Sequence, residues 1–121
     1  MLITSMSQYL IVLGGIKMDY QVKCSHRLYG DIIAPPSKSY THRAFVIASL
    51  ADGESEINNY LNSGDTLSTI NACRAFGVEI ELGKFATVKG SHGILKTPKN
   101  PIDCQNSGTT LRLISSMASL D

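Results

Sequence analysis

The spacing of apolar positions changes several times along the chain, and each change marks an element. Tyr20, Val22 and Cys24 alternate with Gln21 and Lys23 in the period of a strand. Leu28 to Ala34 forms a second extended stretch that stops at Pro35-Pro36, where a ladder cannot continue. From Ser39 to Ala51 the residues Ala44, Phe45, Val46, Ile47, Ala48 and Leu50 are apolar nearly all round, and Gly53 stands where a glycine closes a helix, which predicts a buried helix. Ser55 to Tyr60 reads as a strand. Leu67, Ile70, Cys73 and Phe76 then recur at three-residue steps before Gly77, with Ser68, Asn71 and Arg74 opposite, as an amphipathic helix requires. Val78, Ile80 and Leu82 alternate with Glu79 and Glu81, and Gly83-Lys84 turns into Phe85 to Lys89, a hairpin pattern. The order is strand, helix, strand, helix, strand, strand. After a turn-rich connection from Gly90 to Gln105, Asn106-Ser107-Gly108 opens a third helix carrying Leu111, Ile114 and Met117 on one side.

Composition narrows the function. The 121 residues suit one domain, and 43% hydrophobic against 17% charged residues is the balance of a chain with a core. Eleven Lys and Arg against ten Asp and Glu leave a net charge of +1, too little to grip nucleic acid or an anionic membrane by electrostatics alone. Cys24, Cys73 and Cys104 form neither an even set nor a Cys-x-x-Cys pair, so neither a disulfide framework nor a zinc knuckle is suggested, and a reducing cytoplasmic setting is expected. The apolar run Tyr9 to Leu13 is too short to span a bilayer, and Met1 to Gln8 lacks the basic residues of a secretory signal. Met18 begins a more ordinary polar start. Residues 1–17 therefore read as an upstream extension, with an extra edge strand as the other reading, and residues 18–121 as the structural unit.

Candidate chemistry gathers at two helix starts. Ser37-Lys38-Ser39-Tyr40-Thr41-His42-Arg43 places hydroxyls and an ammonium where free N–H groups and the positive end of a helix dipole favour an anion. Arg43, one turn after Ser39, can reach the same ligand with a planar fork. Asn106-Ser107-Gly108-Thr109-Thr110 repeats the idea, with Gly108 leaving the backbone open to a ligand. Thr41-His42-Arg43 and Thr110-Leu111-Arg112, followed by Ala48-Ser49-Leu50 and Ala118-Ser119-Leu120, make a weak internal repeat. The more ordinary reading of these residues is a set of serine caps with solvated Lys38 and Arg43, and His42 reads first as a structural residue. Asp65-Thr66 reads as a cap for the second helix, with Asp65 also able to orient Arg43 or Arg112. A P-loop is disfavoured because Pro36-Ser37 precedes Lys38-Ser39, and no dinucleotide fingerprint, nucleophile elbow or H-E-x-x-H motif is present.

Pro36-Ser37-Lys38-Ser39-Tyr40-Thr41-His42-Arg43-Ala44, Ala51-Asp52-Gly53-Glu54-Ser55, Asn62-Ser63-Gly64-Asp65-Thr66 and Asn106-Ser107-Gly108-Thr109-Thr110-Leu111-Arg112 together resemble the opening motifs of the 5-enolpyruvylshikimate-3-phosphate synthase family. Pro36 stands where that family more often has Gly, and Ser107 where Ala is frequent. The resemblance covers residues 30 to 121 and implies an inside-out α/β barrel, of which one strand-helix-strand-helix-strand-strand repeat and the start of the next are present. It implies transfer of the enolpyruvyl group of phosphoenolpyruvate to the 5-hydroxyl of shikimate 3-phosphate with release of phosphate, on the route to chorismate and aromatic amino acids. Small-molecule substrates are implied, with no metal, no organic cofactor, no nucleic acid, no membrane and no obligate protein partner.

By motif position the resemblance assigns Lys38 to both substrates, Ser39 and Arg43 to shikimate 3-phosphate and the Gly108 backbone to phosphoenolpyruvate, with Asp65, Asn106 and Arg112 in support. The family's proton-transferring carboxylate is expected beyond residue 121, so the chain reads as an amino-terminal fragment cut within a repeat and inactive alone. The other readings are a noncatalytic anion-binding or assembly remnant, and the enolpyruvyl transferase acting on UDP-N-acetylglucosamine, against which Ser39 and Arg43 argue.

Overall fold

The computed structural model describes residues 8–13, 16–21, 27 and 29–120. The chain divides into two units, Met1–Ile33 and Ala34–Asp121. In the first, β1 (Gln8–Leu13) and β2 (Ile16–Gln21) pair antiparallel with Leu13 opposite Ile16. The apolar run Tyr9 to Leu13 lies in strand β1, in line with the extra-strand reading of residues 1–17. Val22 to Cys24, the rest of the first expected strand, lie outside the described residues.

The second unit contains α1 (Lys38–Leu50), β3 (Glu54–Asn58), α2 (Gly64–Ala75), β4 (Glu79–Leu82), β5 (Phe85–Lys89) and α3 (Gly108–Ala118). Its sheet has the order β3-β5-β4, with β5 antiparallel to both neighbours, so β3 and β4 run the same way and α2 is the crossover between them. Alternation decides the faces. Ala86 and Val88 of β5, with Ile80 of β4, are buried against the helices, whereas Glu54, Glu56, Glu79 and Glu81 line the outer face around Thr87 and Lys89. Phe45, Ala48, Ile70, Cys73, Phe76, Ile114 and Met117 complete a core shared by all three helices.

Each helix start is closed by a serine. Ser37, Ser63 and Ser107 are the N-caps of α1, α2 and α3, their hydroxyls accepting the N–H groups of Tyr40, Thr66 and Thr110. At α2 the arrangement is reciprocal, because the Thr66 hydroxyl also accepts the Ser63 N–H at 3.0 Å. The cap is thus Ser63, not the Asp65 expected, and Asp65 lies in the helix's first turn. Ser63→Ala is expected to cost about 1 kcal/mol of stability, read as a lower urea midpoint at constant slope. At the far end of α2, the Gly77 N–H donates to the Arg74 carbonyl and the Val78 N–H to that of Cys73. Gly77, at φ 88°, adopts the left-handed conformation this turn needs.

Three expectations fail here. Tyr29 to Ala34 form no strand: Ile32 and Ile33 are 92% and 99% exposed, and a strand needs a ladder partner, which these residues lack among those described. Ser68 is buried rather than on a solvent face, made tolerable by its hydroxyl donating to the Gly64 carbonyl at 3.0 Å. Ile47, expected inside a helix buried all round, is 67% exposed.

Candidate functional site

The three helices start at the same place. Lys38, the first residue of α1, donates through Nζ to Asp65 of α2 at 2.8 Å. Thr110 of α3 approaches the Asp65 carbonyl at 3.3 Å. His42 of α1 meets Thr69 of α2 at 2.7 Å, and Thr69 meets Thr110 at 2.7 Å. Thr41 secures the α1 end from outside: its hydroxyl donates to the Ser37 carbonyl at 2.9 Å and accepts the Leu61 N–H at 3.0 Å.

Three N-terminal ends side by side bring three sets of unpaired N–H groups and three positive dipole ends together, an unfavourable crowding of like sign that an anion relieves. Lys38 adds to it and Asp65 is the carboxylate placed to offset it. The Lys38 ammonium, donating to and facing Asp65, holds that carboxyl below the ordinary carboxylate range. Both side chains remain partly open to solvent, at 53% and 39%, so the pair contributes little to stability but fixes where the ammonium points.

The remaining candidates sit around this junction on open surface. Ser39 is exposed in the first turn of α1. Arg43 is exposed, its guanidinium 5.9 Å over the Tyr40 ring rather than on Asp65. Asn106 precedes the α3 cap, Gly108 opens α3, and Arg112 lies one turn further, all exposed. A Cβ at Gly108 would meet nothing within 4 Å, so the backbone there faces free space. The expected partnership of Asp65 with Arg43 or Arg112 is replaced by the one with Lys38, whose position at the very start of α1 lets it reach across to α2. Among the described residues no group of three or more His, Cys, Asp or Glu is arranged to hold a metal ion, and no helix is long and apolar enough to cross a membrane.

His42 is 1% exposed, and burial pushes its imidazole below the ordinary value of 6.5, against an opposing pull from Asp65 and with a smaller push from Lys38. The unfolded chain therefore takes up this proton at a higher pH than the folded one. Stability from this residue is present above about pH 6.5 and is lost as pH falls toward the depressed folded value. Asp65 acts lower on the scale, its contribution being present above 3.8 and lost as pH falls through its depressed value. The urea midpoint is expected to decline between about pH 7 and pH 5, and to decline less in His42→Asn.

The model of the EPSP synthase (3-phosphoshikimate 1-carboxyvinyltransferase) family matches residues 22–121. The chain belongs to this family. A 3-phosphoshikimate 1-carboxyvinyltransferase of Methanothermobacter thermautotrophicus is 56% identical over 103 residues, 85% of this chain and 25% of that protein. Its counterpart in Methanocaldococcus jannaschii is 56% identical over 101 residues, 81% of this chain and 23% of that protein. An EPSP synthase from Acinetobacter baumannii superposes with a TM-score of 0.67 at 34% identity, over 73% of this chain and 21% of that one. The chain thus carries the α/β fold of the EPSP synthases and spans about a quarter of the length of the relatives it matches. Within this EPSP synthase match lie all three helix starts, while β1 and β2 lie wholly outside it.

Of Thr69 and Thr110, which join the helix starts, Thr69 was not singled out from the sequence and Thr110 only as one member of the second donor-rich motif and of the weak repeat. Their signal was faint. Each stands in the first turns of a serine-capped helix at a position the apolar period leaves unassigned.

Proposed function

We propose that this chain forms part of the substrate site of a 3-phosphoshikimate 1-carboxyvinyltransferase, transferring the enolpyruvyl group of phosphoenolpyruvate to the 5-hydroxyl of shikimate 3-phosphate and releasing phosphate. The observation that carries this reading is the meeting of three helix N-termini at the Lys38–Asp65 pair. Both substrates are multiply anionic, and fixed N–H dipoles and ammonium groups stabilise such charge without reorganising. In this reading Lys38 contacts both substrates, Ser39 and Arg43 hold shikimate 3-phosphate, and the open Gly108 backbone receives phosphoenolpyruvate. Asp65 aims Lys38, while Asn106 and Arg112 flank the α3 start. A cytoplasmic setting belongs to the same proposal.

Calorimetric titration with shikimate 3-phosphate tests the assignment. Arg43→Lys keeps the charge but loses the planar fork and is expected to bind about tenfold more weakly, with Arg43→Ala weaker still. Phosphoenolpyruvate binding should change less. Equal shikimate 3-phosphate affinity in wild type and Arg43→Ala would make Arg43 a solvated surface residue and place the sugar phosphate elsewhere.

A further inference from the structure

Four buried polar side chains make an unbroken line across the three helices. His42 Nδ1 lies 2.7 Å from Thr69 Oγ1, Thr69 Oγ1 2.7 Å from Thr110 Oγ1, and Thr110 Oγ1 2.7 Å from Ser107 Oγ. The residues are 1%, 0%, 0% and 4% exposed. At one end, His42 Nε2 is buried with no hydrogen-bond partner. At the other, Ser107 caps α3 beside Gly108. Each hydroxyl owns a single proton, so the line has two possible directions.

In one direction Ser107 donates to Thr110, Thr110 to Thr69 and Thr69 to Nδ1, which leaves a buried Nε2–H with no acceptor. In the other, Nδ1–H donates to Thr69, Thr69 to Thr110 and Thr110 to Ser107, and Nε2 is left as a bare lone pair. A buried donor without a partner is the rarer and costlier defect, so the second direction is favoured. Distance agrees, because Thr110 Oγ1 is 2.7 Å from Ser107 Oγ but 3.3 Å from the Asp65 carbonyl, beyond the usual O–H···O range. Ser107 Oγ then accepts twice, from the Thr110 hydroxyl and, at 3.2 Å, from the Thr110 N–H. Its own proton remains uncommitted among the described residues.

We infer that His42 is a positioning residue: protonated on Nδ1, it sets the direction of the Thr69–Thr110–Ser107 line so that the Ser107 hydroxyl is left free to donate to an oxyanion at the start of α3. The oxyanion half of this statement rests on the reading under Proposed function; the direction of the line does not. A merely structural His42 would fill space in either tautomer.

Two-bond proton–nitrogen NMR spectra of this chain with 15N-labelled histidine, at neutral pH, report the tautomer directly. The expected result is a single Nδ1–H form for His42, preserved in Thr69→Ser, which keeps the hydroxyl, and broken into a mixture in Thr69→Val, which keeps the volume. A wild-type Nε2–H tautomer overturns the inference. Titration with inorganic phosphate, followed by the amide shifts of residues 108–110, tests the donor. Ser107→Ala is expected to bind phosphate about threefold more weakly or worse. His42→Asn, whose amide can still donate to Thr69, should bind close to wild type, and His42→Leu should behave like Ser107→Ala. Unchanged affinity in Ser107→Ala overturns the donor role. No phosphate response in wild type counts against the anion-binding reading itself, and the tautomer spectrum then decides the direction of the line on its own.

Discussion

Gly90→Ala is expected to lower the stability of this chain by about 3 kcal/mol or more, though the residue lies on no helix or strand. The reason is close approach. A Cβ at position 90 would drive into the Ala51 carbonyl oxygen and come within 2.9 Å of that of Ala48, both backbone atoms at the end of α1 that cannot swing aside. The neighbouring residues are committed to the same helix end. The Ser91 N–H donates to the Ser49 carbonyl at 2.9 Å, the His92 N–H to that of Ala51 at 2.9 Å, and the Gly93 N–H to that of Leu50 at 3.1 Å. The Ser91 hydroxyl also donates to Ser49 at 2.8 Å. Pushing position 90 outward strains or breaks this group as a whole, and each buried carbonyl left unpaired adds its own desolvation cost. Urea unfolding followed by circular dichroism reads the loss as a lower midpoint. The loss at Gly53→Ala should be smaller and of a different origin: a Cβ there meets nothing within 4 Å, and only its φ of 79° is penalised. Equal stability of Gly90→Ala and wild type would show that the two segments do not touch as described.

Phe45→Ala is expected to cost about 3 to 5 kcal/mol. Phe45 is wholly buried on α1, three residues beyond His42, and its ring meets that of Tyr60 edge to face at 5.6 Å and 88°. It lies in the core cluster with Ile70 of α2, Val88 of β5 and Met117 of α3, so truncation removes contacts to several elements at once and leaves a cavity they cannot jointly fill. A domain of this size has a net stability on the order of 5 to 15 kcal/mol, so this single change removes a large part of it. Tyr60→Phe separates ring from hydroxyl: it keeps the edge-to-face contact and loses only the bond from the Tyr60 hydroxyl to the Gly83 carbonyl at 3.1 Å. Its expected cost is about 1 kcal/mol. A Phe45→Ala variant as stable as Tyr60→Phe would mean that α1 is not anchored through this ring.

What could be read from sequence follows from which forces have a period. The hairpin of β4 and β5 was legible because one face of each strand is buried, α1 by its apolar run and α2 by the Gly77 turn at its end. Gly53, expected to close α1, instead lies two residues past its Ala51 cap, and the last carbonyls of α1 accept from residues 91–93. Tyr29 to Ala34 misled because alternation and β-branched residues describe a strand's surface, not its partner. Ser68 misled for a different reason: a small hydroxyl residue can be buried once it finds an acceptor nearby, and that acceptor does not show in hydropathy. The site was legible as two motifs rich in donors, since helix starts announce themselves by Ser and Gly. Their convergence was not, because the reach of Lys38 to Asp65 spans 27 positions and depends on how α1 and α2 pack. Of Leu111, Ile114 and Met117, read as one side of α3, Ile114 and Met117 are buried in the core and Leu111 stays open.

The end of α1 carries a consequence for how the molecule opens and closes. Its last carbonyls are satisfied by residues about forty positions downstream, with Ser49 and Ser91 separated by 42. The last turn itself winds locally, the Ala51 N–H donating to the Ile47 carbonyl at 3.0 Å, but the carbonyls of Ser49, Leu50 and Ala51 have only water to accept from until the chain after β5 arrives. The converse holds on opening: release of residues 90–93 from Ala51 frays the helix end and frees the segment that leaves β5 in the same event. Backbone amides at the two places should therefore exchange with solvent at matched rates, as one cooperative unit.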